Sequence, residues 1–145
     1  MPSFNLITEP WLPCTLLDES RIEMGISEIL TRAHEVREIT CETPLQTVAT
    51  HRVLLAILHR CFGPSDADAW GELWAKGSFD VARLDDYCLT WFDRFDLFDE
   101  EHPFYQTPGL DLSLARSSAN LMFQADNNPT LFEHTITSAP PSLTP

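Results

Sequence analysis

The residue types that do chemistry in proteins are present in this chain, but their spacing argues against catalysis. His51, His59 and Cys61 fall within one apolar stretch. Two ligands on one helix face need to stand three or four residues apart, and these stand eight and two apart. They read as structural side chains, and no metal site is expected. Ser117-Ser118 lacks the flanking glycines of a nucleophile elbow, and none of Cys14, Cys41, Cys61 and Cys88 carries a local nucleophile signature. With five glycines in all, the chain has no glycine-rich phosphate loop. Carboxylates are so abundant that the runs Asp85-Asp86 and Asp99-Glu100-Glu101 read as solvated charge rather than acid/base pairs. The expectation is a protein with no catalytic residue, metal or cofactor.

Binding chemistry is the better prospect. Polar and aromatic residues alternate in three late stretches without periodicity: 94–98, 102–106 and 126–134. Two readings stay open for them. The aromatics fill core while the asparagines make turns, or the amides and rings form a ligand loop.

The bulk composition sets limits on the partner. Twenty-two acids oppose nine cations, giving a formal charge of −13, and Lys76 is the single lysine. Autonomous nucleic-acid binders carry the opposite sign, because phosphate neutralisation supplies most of their affinity. Duplex DNA is therefore a poor partner for the chain alone, although basic neighbours could supply the missing charge. The four cysteines are scattered without a CxxC pair, and the N-terminus lacks the basic and apolar regions of a signal peptide. No apolar run reaches the ~18 residues of a membrane span. These features predict reduced thiols, a cytoplasmic location and no membrane association.

The elements that would position such loops are legible in outline. The 145 residues fit one domain, and a 43% hydrophobic fraction with nine Phe and four Trp suffices for a core. Residues 4–7 and 11–16, followed by turn chemistry at Asp18-Glu19-Ser20 and by residues 21–25, predict a short irregular β-hairpin. Pro10 and Pro13 would mark an edge or a bulge. Ser27 as N-cap and the spacing of Ile26, Ile29, Leu30, Ala33, Val36 and Ile39 predict a helix over about 27–37, with Glu35, Arg37 and Glu38 towards solvent.

Thr43-Pro44 and Gly63-Pro64 bracket a second helix, apolar around most of its circumference and so expected at the centre of the core. Ser65 would cap a third, through Trp70 and Trp74 to Gly77. Asp80 would cap a fourth, carrying Val81, Leu84, Tyr87, Cys88, Trp91 and Phe95 on one face and a strongly negative outer face. Phe104-Tyr105-Gln106 and Leu121-Met122-Phe123 read as short strands or buried loop, and Asp126-Asn127-Asn128-Pro129 as a turn. Thr144-Pro145 reads as a cap and first proline of a further helix, making 138–145 a truncated linker and helix start. The predicted fold class is α+β and helix-dominated: an N-terminal hairpin, about four helices and irregular late segments, as a fragment of a larger mixed α/β domain.

Five blocks carry a resemblance: FNLITEPWLP, SEILTRAHEVREI, PLQTVATHRVLLAILHR, RFDLFDEEHPFYQT and NNPTLFEHT. In this order, and over nearly the whole chain, they resemble the N-terminal region of the CasA family, the large subunit of the type I-E CRISPR surveillance complex Cascade. The resemblance implies a partial N-terminal domain over 1–145, with the family's C-terminal four-helix bundle absent. It implies a non-catalytic subunit in antiviral defence, assembled with other Cascade subunits and guide RNA. Within the complex such a subunit reads the motif flanking the target in double-stranded DNA and recruits a separate helicase-nuclease. A family loop near the guide matches 124–134, and the resemblance makes Asn127, Asn128, Thr130 and Phe132 candidates for contact with nucleic acid or a neighbouring subunit. Two rivals follow from composition alone: a free-standing acidic adaptor or nucleic-acid mimic, and a small hydrolase using the histidines and carboxylates.

Overall fold

The computed structural model describes residues 3–109 and residue 113. The described elements lie within one compact unit, Met1–Pro108. β1 (Leu12–Leu16) and β2 (Arg21–Met24) form the expected hairpin, with Leu12 opposite Met24 and Cys14 opposite Ile22. The turn between them is held as its residue types suggest. The Asp18 carboxylate accepts from the Ser20 N–H at 2.9 Å and from the Ser20 hydroxyl at 2.6 Å, and Glu19 takes a positive φ of 69°.

A third strand joins this hairpin and corrects the expected 27–37 helix. α1 spans only Ile26–Thr31; a 3-10 turn at Ala33–Glu35 follows, and Val36–Ile39 is β3. β3 pairs antiparallel with β1, so the sheet order is β2-β1-β3 and β1 is central rather than an edge. Pro13 sits at the start of the β1–β3 pairing, where its carbonyl accepts from the Thr40 N–H at 2.9 Å and Cys14 faces Ile39. Arg32 ends α1: its backbone leaves helical geometry while its guanidinium ties Glu28 at 2.7 Å to Glu35 at 2.8 Å.

Residues 4–7 are not a strand. Their carbonyls cap α1 instead: Leu6 accepts from the Ile26 N–H at 3.0 Å and Ile7 from the Ser27 N–H at 3.1 Å. This satisfies two of the unpaired donors that every helix start presents. The N-cap residue is therefore Gly25 rather than Ser27. A Cβ at Gly25 would lie 2.5 Å from the Ile7 carbonyl oxygen, so the close approach requires glycine.

α2 (Pro44–Phe62) has the predicted ends, reinforced by a capping box: Gln46 N–H donates to the Thr43 hydroxyl at 3.3 Å, and Thr43 N–H donates to the Gln46 side-chain oxygen at 2.9 Å. Gly63 closes it in the left-handed region, φ 38°. The expected place in the core holds for one side of the helix only. Only Thr50, Leu54 and Ile57 are buried, while Leu45, Val48 and Leu55 are 57%, 59% and 52% exposed. Val53, Leu58, Cys61 and Phe62 pack part-buried against the core, while Leu45, Val48 and Leu55 lie on the side away from it.

α3 (Ala67–Ala75) is capped by Asp66 rather than Ser65; Ser65 instead donates to the Asp66 carboxylate. α4 (Val81–Thr90) is capped by Asp80 as expected, and a 3-10 turn at Phe92–Phe95 follows it. Leu84, Cys88 and Phe95 are buried, but Val81 and Trp91, predicted on the same face, are exposed. The core unites Leu12, Cys14 and Met24 of the sheet with Ile26 and Ile29 of α1, Leu54 and Ile57 of α2, and Leu84 of α4. The result is α+β and helix-dominated, as the sequence predicts. No helix among the described residues is long and apolar enough to cross a membrane.

Candidate nucleic-acid and subunit interface

The four residues singled out for contact, Asn127, Asn128, Thr130 and Phe132, lie outside the described residues, as do Ser117-Ser118 and the predicted helix start at 144–145. The first two late stretches, 94–98 and 102–106, are described, and the structure shows how they are held.

Asn5 is the clip. It is buried, its side-chain N–H donates to the Phe92 carbonyl at 2.8 Å, and its side-chain oxygen accepts from the Ile7 N–H at 3.0 Å. Around it, Leu6 N–H donates to the Phe95 carbonyl and Leu97 N–H to the Phe4 carbonyl, both at 3.0 Å, and Asn5 bridges Asp96. The N-terminal segment thus caps α1 with its carbonyls and fastens the chain that follows α4. Sequence reasoning did not identify this double role. The signal was Asn5 itself, an amide inside an otherwise apolar stretch, able to donate and accept at once.

Asp96 is the second anchor. Its carboxylate accepts from the Ser3 hydroxyl, from the Phe98 N–H at 2.7 Å and from the Phe4 N–H at 3.3 Å. The Ser3 bond first, and then the Phe98 bond, hold this carboxyl below the usual range. Its own carbonyl accepts from the Phe104 N–H at 2.9 Å, and Gln106 donates from its side chain to the Leu97 carbonyl at 2.9 Å. Asp99 closes the intervening turn by accepting from the N–H groups of Glu101 and His102. The acidic run at 99–101 therefore includes a turn residue.

The aromatics of these stretches divide between the two readings left open. Tyr87, Phe95 and Phe104 contact in series, with centroids 6.4 and 5.1 Å apart, and the series ends at Tyr105, 4.9 Å from Phe104. Phe95 and Phe104 serve the core. Tyr105 is 87% exposed and holds a φ of 54°, which is uncommon for a bulky residue. Gln106 uses its amide to fasten the loop.

Among the groups considered for catalysis, Cys61 and Asp85 are electrostatic neighbours of Cys88. All four cysteines are free. Burial pushes the Cys88 thiol up to about 11 and raises Cys14 and Cys61. These three are protonated and poorly nucleophilic near neutrality. His51 and His59 are exposed, not enclosed in core as their helix suggested, and a His51 ring nitrogen is 2.8 Å from the Thr47 carbonyl. No group of three or more His, Cys, Asp or Glu that could hold a metal ion occurs among the described residues. Asp85 and Asp86 lie exposed on α4.

This architecture matches known proteins. The family model for CRISPR-associated protein Cse1 matches residues 5–145. CRISPR-associated protein CasA/Cse1 of Thermus thermophilus is 40% identical over 147 residues, covering 99% of this chain and 29% of that protein. The crystal structure of Cse1 from Acidimicrobium ferrooxidans superposes with a TM-score of 0.74 at 36% identity, covering 77% of this chain and 22% of that one. A chain of a CRISPR RNA-guided surveillance complex superposes with a TM-score of 0.68 at 27% identity, over 74% of this chain and 24% of that one. The chain thus spans less than a third of the length of each of these relatives. On the match over 5–145, the chain belongs to the CRISPR-associated Cse1 family.

Proposed function

We propose that this chain serves as the N-terminal part of a non-catalytic subunit of an RNA-guided CRISPR surveillance complex in the cytoplasm. The observation that carries the reading is family membership over 5–145, joined to likeness with a chain of such a complex. In this reading 1–145 is a partial N-terminal domain, and the family's four-helix bundle lies beyond it. The partners are the other Cascade subunits, guide RNA and, through the assembled complex, target double-stranded DNA. The subunit supports recognition of the target-flanking motif and recruitment of the helicase-nuclease.

The charge of −13 fits a subunit that leaves phosphate neutralisation to its neighbours. The protonated thiols fit a role in binding rather than covalent catalysis. Within the subunit, Asn127, Asn128, Thr130 and Phe132 would contact nucleic acid or a neighbouring subunit: the amides both donate and accept, and the ring can stack for about 1–3 kcal/mol.

The test is target-duplex binding by the reconstituted complex carrying Asn127→Ala and Asn128→Ala in the full subunit. Weakened binding or impaired assembly is expected. Unchanged assembly and unchanged binding would remove these residues from the interface.

A further inference from the structure

The outer side of α2 has an unusual charge. Its nineteen residues contain no acid, in a chain where acids outnumber cations by more than two to one. They carry His51, Arg52, His59 and Arg60, all exposed. Neither Arg52 nor Arg60 forms an ion pair among the described residues. The pairs found there involve Arg32, His34 and Arg37 instead.

Leu45, Val48, Arg52, Leu55 and His59 recur at helical spacing and share one stripe, opposite the Thr50, Leu54 and Ile57 stripe that meets the core. Beside this stripe, between α2 and α3, runs a groove of about 610 Å³ lined mainly by Leu55, Leu58, Trp70, Leu73, Trp74 and Phe79. No residue of α3 is buried. Trp70 and Trp74 stack on each other at 5.3 Å and 12°, and Trp74 remains 74% exposed. Glu72 of α3 and Lys76 at its C-cap line a smaller, adjoining hollow with Asp80 and Arg83, and Pro64 and Leu73 line both.

We infer that the α2–α3 face is a docking site for an acid-bearing amphipathic helix, supplied by the part of the same subunit that this chain does not span. Three observations lead there. The groove is apolar and open, and a contiguous apolar patch on a free surface marks an interaction site. Arg52, on the stripe beside the groove, forms no ion pair among the described residues, so an occupant that complements it brings a carboxylate. The relatives carry more than two-thirds of their length beyond what this chain covers, which is ample to supply the helix.

A nucleic acid fits the face less well. Leu and Val side chains offer nothing to a phosphate or a base, and each tryptophan has one face taken by the other. Two arginines make a small footprint for phosphate binding. A helix laid into a groove, with aliphatic anchors at i, i+3, i+4 and i+7, fits both the lining and the charge.

The experiment titrates this chain with a synthetic amphipathic peptide of about 15 residues, Leu on one face and Glu on the other, read by calorimetry. The same peptide with Lys in place of Glu, a single-stranded oligonucleotide and the full-length Thermus thermophilus relative (in place of the chain) supply the other arms. The chain should bind the Leu/Glu peptide at least about tenfold more tightly than the Leu/Lys peptide, with affinity falling as salt rises. Leu55→Asp, Trp74→Ala, or Arg52→Glu with Arg60→Glu should each weaken binding by about tenfold or more without changing circular dichroism, since all these positions are exposed. The full-length relative should not bind the peptide, because its own helix already fills the face.

Absence of peptide binding by the chain, or equal binding of the Lys form, would overturn the docking chemistry. Equal binding by the full-length relative would overturn the same-subunit source. Tighter binding of the oligonucleotide would overturn the choice of a protein occupant.

Discussion

Replacing Asn5 tests whether one buried amide fastens the N-terminal segment to the chain after α4. Asn5→Ala leaves the Phe92 carbonyl and the Ile7 N–H without the partners they have at 2.8 and 3.0 Å. An orphaned polar group at a buried site costs about 1–3 kcal/mol. Two such groups, partly relieved by water where the site borders solvent, give an expected loss of about 2–4 kcal/mol. With a urea m-value of about 2 kcal/mol/M, the unfolding midpoint should fall by about 1–2 M.

Asn5→Asp separates the two bonds. A carboxylate can still accept from Ile7 N–H but cannot donate to the Phe92 carbonyl, and it adds a charge next to Asp96. It should destabilise at least as much as Ala at neutral pH. The assay is urea unfolding followed by tryptophan fluorescence, since Trp11 and Trp91 flank the clip in sequence. Limited proteolysis should show earlier cutting within 96–106. A loss below about 0.5 kcal/mol in both variants, with unchanged proteolysis, would refute the clip.

Other consequences follow from the same structure. Leu54→Asp, at a 7% exposed position, should abolish folding, whereas Leu55→Asp next to it should fold normally; soluble, folded Leu54→Asp protein would remove α2 from the core. Thr43→Ala should cost about 1 kcal/mol in thermal or urea unfolding by opening the capping box, and no loss would mean the box is dispensable. Cys88 holds its proton in the fold up to about pH 11 against an ordinary 9.0, so the unfolded chain deprotonates first. Stability should therefore fall as pH rises from about 9 towards 11, and Cys88→Ala should flatten that decline. An identical alkaline decline in the variant would exclude this thiol as its source.

How far the sequence determined these elements depends on how local each signal is. α2 and α4 were legible at their starts because Thr43-Pro44 and Asp80 act on backbone donors two or three residues away. The same locality makes the 65/66 cap ambiguous, where two adjacent residues could each serve and Asp66 does. β3 was hidden because Ile26, Ile29, Leu30, Ala33, Val36 and Ile39 fit a helical period, although the last two belong to a strand paired across β1. Nothing in four residues of sequence reports a partner twenty or more positions away. The half-buried state of α2 was illegible for a similar reason: composition shows which residues are apolar, not which neighbours are there to cover them. The loop candidates at 127–132 came from resemblance and lie outside the described residues, so their role rests on the proposed assembly.

Co-purification tests that assembly most directly: the chain, and separately the full subunit, expressed with the other Cascade subunits and guide RNA, followed by target-duplex binding. The account predicts that the full subunit joins the complex and confers binding to the target duplex, with the chain alone retaining whatever contacts reside before residue 145. Failure of both forms to associate, together with salt-sensitive binding of the chain to basic proteins, would contradict it and favour a free-standing acidic adaptor.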